Sequence, residues 1–137
     1  SVSATPVEWA KPSRPEFAID GSRATSWTTG GQEYGQEPGE HFQLDFGRPQ
    51  LVSRIVLDHH GETSIYPSGW PRGVNASATD DGTIWYPVDV AQGGLMTPVT
   101  VRFSPPREIR SIRFETTATH DPEWWAIFEV LVLAPEQ

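Results

Sequence analysis

No stretch of this 137-residue chain repeats apolar residues at a 3.6-residue period over three turns. Short runs alternate at period two instead, punctuated by glycine and proline. Phe42, Leu44 and Phe46 share one face, and Gly47-Arg48-Pro49 is expected to end that strand. A denser apolar run over 51–57 reads as a more buried strand. Val74–Thr79 and residues 83–90 form a hairpin across Asp80-Asp81-Gly82, since Asp-Gly supplies the positive φ that hairpin turns need. Val99, Val101 and Phe103 alternate up to Pro105-Pro106, which is expected to close the strand, and residues 109–116 turn Ile112 and Phe114 inward. Residues 127–133 are apolar apart from Glu129, the pattern of a central strand. Short strands at regular spacing predict an all-β fold, a jelly-roll β-sandwich of about eight antiparallel strands. Pro6, Pro12 and Pro15 exclude a helix at the start, where an irregular segment is expected to wrap the core.

The length suits a single domain over residues 1–137. There is no cysteine, so disulfides and thiolate metal sites are excluded. Ten Lys and Arg against 18 Asp and Glu give a net charge of −8, which disfavours nucleic acid and anionic membrane surfaces as partners. No apolar run reaches the length of a membrane span. The opening residues, Ser1 to Pro6, show no leader character, as expected of a mature start or a boundary within a longer chain. Six Trp, 13 Pro and 12 Gly point to aromatic-rich loops on a β scaffold.

Two places carry oxygen ligands in a suggestive setting. Asp20, Ser22 and Thr25 fall on one curled loop that opens with Asp20-Gly21. Such a loop is either an Asx-type turn or part of a shell for a hard cation such as Ca²⁺. Glu129 interrupts an apolar strand; it is either paired, neutralised or cation-bound, or it faces water from an edge.

Five motifs occur in order: Asp20-Gly21-x-x-x-Thr25-x-Trp27, Phe42-x-x-Asp45-x-Gly47, Ser77-x-x-Asp80/Asp81-Gly82-x-x-Trp85, Ile109-Arg110-x-Ile112-Arg113 and Trp125-x-Ile127-x-Glu129. Taken together they resemble the discoidin family (coagulation-factor C-type domains), and within it the family 32 carbohydrate-binding modules of bacterial polysaccharide-degrading enzymes. The resemblance covers residues 16–133. It implies a jelly roll with a structural Ca²⁺ held by Asp20, Ser22, Thr25 and Glu129, completed by backbone carbonyls near Phe17 and Phe128. Galactose-binding members often follow the first Trp with His and place a second Trp three residues beyond. Thr28 and Gly31 stand in those positions, so the galactose signature is missing. The phrase from Trp27-Thr28-Thr29 through Pro71-Arg72-Gly73 to Trp124-Trp125 is closer to modules of glucan-degrading enzymes.

In such a fold the loops 27–39, 58–73 and 117–124 meet at one end of the sandwich. They carry Trp124, Trp70, Tyr34 and Tyr66 with Arg72, His60, Glu37 and Glu62, the candidate carbohydrate-binding residues. A flat aromatic covers the apolar face of a pyranose, and charged or amide groups bond vicinal hydroxyls. Trp124 is the expected platform, while Trp27, Trp85 and Trp125 are expected in the core. Arg72 suits either a sugar or the carbonyls of its own loop. His59 and His60, adjacent along a strand, would point to opposite faces and chelate poorly. Glu37, Glu62 and Glu123 offer carboxyls for glycoside hydrolysis, yet no nucleophile elbow, zinc-protease motif or phosphate loop is present. The reading is a non-catalytic module, monomeric within a larger secreted bacterial protein, that tethers a parent enzyme to a glucan-type polysaccharide. The alternative is a discoidin-type adhesion or protein-binding domain.

Overall fold

The structure is a computed structural model, and it describes residues 1–4, 15–19, 21, 27–28, 36, 38–60, 69–119 and 125–135. The described strands are β1 (Val2–Ala4), β2 (Trp27–Thr28), β3 (His41–Asp58), β4 (Val74–Thr79), β5 (Trp85–Val88), β6 (Val90–Ala91), β7 (Val99–Thr116), β8 (Ala126–Ile127) and β9 (Glu129–Leu133). One 3₁₀ turn, Pro15–Ala18, lies between β1 and β2. Every pairing among the described strands is antiparallel, and among the described residues no helix is long and apolar enough to cross a membrane.

Two long strands make the sandwich. The first half of β3 pairs with β1 on one side and with the second half of β7 on the other, and the layer continues through β4 to β5. The second half of β3 pairs with β9 and with the first half of β7, which also holds β6. The register slips between Asp45 and Gln50 and again between Val52 and Arg54, so each strand turns a corner from one layer into the other. Gly47 takes φ 81° at the first corner, and the second runs through Pro105-Pro106. These residues were expected to end strands. They break the ladder, because proline has no N–H and glycine enters the left-handed region, but the chain keeps its course and pairs again in the other layer.

One apolar cluster fills the space between the layers. Phe42, Leu44, Ile112 and Phe114 enter from the first, and Ile55, Leu57, Val99 and Val101 from the second. Trp27 and Trp125 are fully buried, with ring centroids 5.1 Å apart in an edge-to-face arrangement, and Phe42 packs 5.2 Å from Trp27. The hairpin across Asp80-Asp81-Gly82 forms, with Gly82 at φ 85°, but its second arm is shorter than the expected 83–90: β5 begins at Trp85, and Val90–Ala91 pairs with β7 instead of β4.

Three expectations fail. Trp85 is 38 % exposed instead of buried, because it lies opposite Thr79 on the outer face of the first layer. Residues 127–133 do not form a central strand: β8 pairs with β2, and β9 pairs with β3 alone among the described residues. Leu131 and Val132 therefore stand partly in solvent. The opening segment is not wholly irregular, since Val2–Ala4 adds a strand to β3.

Candidate functional site

Because β3 and β7 turn corners, the end of β3, the start of β4 and the end of β7 come to the same end of the sandwich. There Trp70 and Arg72 form a fixed pair. The Arg72 guanidinium lies 3.8 Å from the centroid of the Trp70 ring, and its Nη1 donates to the Trp70 carbonyl. Gln36 locks the pair from an adjacent loop. Its Nε2 donates to the Trp70 carbonyl at 2.9 Å, and its Oε1 accepts from the Arg72 amide at 2.9 Å. Gln36 is 1 % exposed, so both bonds are shielded from water. Trp70 itself is half-buried.

The same loop is tied to its neighbours by backbone. The Ala126 amide donates to the Gly69 carbonyl at 2.8 Å, and the Thr117 amide to the Gly73 carbonyl at 3.0 Å. A Cβ on Gly73 would stand 2.6 Å from Thr117 Oγ1, so only glycine permits this approach. Gln92 brings in a further loop, accepting from the Val74 amide at 3.0 Å and donating to its carbonyl at 2.7 Å.

A second cluster sits at the end of β3. Asp58 Oδ1 accepts from the His60 amide at 2.9 Å and lies 3.1 Å from His60 Nδ1. The His59 and His60 rings stack at 4.5 Å instead of pointing apart, because both residues lie beyond the strand and escape its alternation. His59 is 2 % exposed, and its Nε2 lies 3.2 Å from the Leu95 carbonyl. A carbonyl only accepts, so Nε2 carries the proton, and Nδ1 has no partner among the described residues. Burial, above all, holds the His59 pKa below its ordinary value, and the nearby His60 adds to the effect. The Phe128 amide donates to the Asp58 carbonyl at 2.8 Å, which joins this cluster to the segment between β8 and β9.

Of the sugar-site candidates, the structure thus brings together Trp70 and Arg72 and places His60 in the neighbouring cluster. Trp124, Tyr34, Tyr66, Glu37 and Glu62 lie outside the described residues. So do the metal candidates Asp20, Ser22 and Thr25. Glu129 is half-buried at the start of β9, directly opposite Asp58 on β3. Like charges facing each other across strands repel, and a cation would relieve them. The 3₁₀ turn Pro15–Ala18 packs against β9. Among the described residues no group of three or more acidic, imidazole or thiol side chains gathers.

Sequence reasoning missed Gln36 and Gln92. A glutamine in a loop reads as solvated, and no local pattern marks one whose amide spans another loop's backbone.

The sequence model of the F5/8 type C domain matches residues 1–130 of the chain. No curated protein matches it. Solved structures of like fold include chitosan-binding module 1 of a chitosanase/glucanase from Paenibacillus sp. IK-5, at 21 % identity and a TM-score of 0.73, covering 98 % of this chain and 94 % of that one. Another is the family 32 carbohydrate-binding module of Clostridium perfringens NanJ in complex with galactose, at 24 % identity and TM-score 0.74, covering 96 % and 91 %. A pectin-binding carbohydrate-binding module matches at 20 % identity and TM-score 0.69, covering 99 % and 91 %. With the family's sequence pattern running through nearly its whole length, this chain belongs to the F5/8 type C domain family, whose members are non-catalytic binding modules.

Proposed function

We propose that the domain is a carbohydrate-binding module whose ligand is a glucan-type polysaccharide, and that it tethers a parent enzyme of a secreted bacterial system to that substrate. The observation that carries the reading is the Trp70–Arg72 stack, pinned by a buried Gln36 at the loop end. A sugar-binding aromatic must be held still before the ligand arrives, since ordering it on binding would subtract from a small affinity. Here a cation covers one ring face and two bonds fix the backbone. Trp124 would act as the principal platform, with Trp70 and Tyr34 flanking it and Tyr66, His60, Glu37 and Glu62 on the rim. Solved structures of the same fold that bind chitosan, galactose and pectin support a saccharide ligand. A bound Ca²⁺, held by Asp20, Ser22, Thr25 and Glu129, would pin the first loop to the last strand without taking part in recognition.

Binding should be weak, at roughly 0.1–1 mM or about −4 to −5.5 kcal/mol, as expected of one stacking site. The test is affinity electrophoresis through gels containing laminarin, cellulose derivatives, chitosan, pectin or galactan, with reducing-sugar release measured alongside. Retardation by a glucan without sugar release is expected. No retardation by any polysaccharide would overturn the reading, and release that survives repurification would overturn the non-catalytic part.

A further inference from the structure

A groove of about 380 Å³ lies on the outer face of the first layer, lined by Gln43, Asp45, Asp81, Trp85, Arg110 and Ser111 and bounded by Gly47 and Gly82. It is not part of the loop end. β4 leaves the Arg72 loop at Val74 and reaches the groove at Thr79, five residue steps or ~17 Å along the strand.

The register builds it. Asp45 pairs with Ser111, Ser111 with Thr79 and Thr79 with Trp85, so one row of side chains crosses four strands on one face. Ser111 is buried and lines the groove from below, and the buried Thr79 holds the row together beneath the turn. Trp85 stands partly exposed at one end, and Gln43 and Asp45 close the other.

The polar groups are fixed, and each keeps capacity to spare. Asp45 Oδ1 accepts from Gln43 Nε2 at 2.9 Å and from Ser111 Oγ at 2.7 Å. Asp81 Oδ1 accepts from Thr79 Oγ1 at 3.1 Å and from the amides of Thr83 and Ile84 at 2.8 and 2.9 Å. All of these bonds use Oδ1, so the Oδ2 of each carboxylate is left for a ligand. The Arg110 side chain runs along the turn, its Cδ and Nε 3.5 and 3.6 Å from where a Cβ on Gly82 would be. It makes no hydrogen bond or ion pair among the described residues.

We propose that this groove is a second saccharide-binding site, taking one or two units of a neutral sugar, with Trp85 against the ring's C–H face and Arg110, Asp45 and Asp81 on its hydroxyls. Each sugar hydroxyl both donates and accepts, so its site needs both kinds of partner. Arg110 donates and the two carboxylates accept, all from rigid strands or a pinned turn. An anionic sugar would meet two carboxylates for one guanidinium. The volume falls at the small end of ligand pockets, about 300–1,000 Å³, and the lining is mostly polar, which does not suit a partner's apolar helix. Two sites at opposite ends would let one domain engage two chains, or two points of one chain, and raise retention by avidity. The inference rests on the reading of the domain as a saccharide-binding module.

The test titrates the full chain, ¹⁵N-labelled, with three neutral oligosaccharides, laminarihexaose, cellohexaose and the hexamer of N-acetylglucosamine, following the indole N–H signals assigned by single Trp→Phe variants. The signals of both Trp70 and Trp85 should move, with separate binding curves. Trp85→Ala and Arg110→Gln should each weaken the groove response by about tenfold or more while leaving the Trp70 response and the melting temperature unchanged. If Trp85→Ala fails to fold, Arg110→Gln decides alone. Movement of Trp70 with Trp85 silent would overturn the second site and leave the first. Movement of Trp85 alone would support the groove and overturn the loop-end reading. Silence of both with all three sugars would overturn both.

Discussion

His59 shows how far burial can set the chemistry of one residue. It is neutral, nearly inaccessible and bonded through Nε2–H to Leu95, and among the described residues Nδ1 has no partner. Protonation would place a charge in a site that burial makes unfavourable to it. His41 is shifted in the same direction, first by partial burial and then by the charge of Arg113, with Glu115 opposing. The sign of the linkage follows. Both imidazoles bind protons less readily in the folded chain than in the unfolded one, where the pKa is about 6.5. Their contribution to stability is complete above that value and falls as the pH drops below it, because the unfolded chain takes up protons first. The urea midpoint should therefore decline from pH 7.5 to pH 5.5, and His59→Gln should decline less steeply. An equal decline in that variant would contradict the assignment. Trp85 shows the opposite lesson about legibility. In sequence it resembles Trp27 and Trp125, since each closes a turn-rich stretch. Only the register, which puts it opposite Thr79, reveals the outward face.

Elements were legible where alternation was clean. The faces of Phe42 and Leu44 and of Ile112 and Phe114, and the hairpin at Gly82, could all be read locally, because period two and a positive-φ glycine are local facts. Corners and edges are not local. Gly47 and Pro105-Pro106 look like strand ends until the partner strands are known, and a continuous apolar run does not say whether one neighbour or two will cover it. β9 was misread for that reason. Among the described residues β9 pairs with β3 alone, and Glu129 stands opposite Asp58 across that ladder. A cation there would join two chain segments far apart in sequence, so its loss should loosen both. Excess chelator should lower the melting temperature, and both Glu129→Ala and Asp20→Ala should remove that response to chelator. An unchanged melting curve in chelator would dispose of the metal.

For the whole molecule, two strands that each run through both layers place the connecting loops at the ends of the sandwich and leave the middle for packing. The loop end gathers Gln36, Trp70, Arg72, Gln92 and the His59–His60 stack from segments that sequence order keeps apart. The aromatic and charged members of that set were legible by residue type, whereas the glutamines that position them were not. The central claim is that this end binds a polysaccharide through aromatic platforms. Its most direct test is the migration of the wild-type chain, Trp70→Ala and Trp124→Ala through native gels containing laminarin, with melting temperatures as the control. Retardation of the wild type, lost in both variants while the fold persists, is the result expected. Equal retardation of all three proteins, or free migration of the wild type, would contradict it.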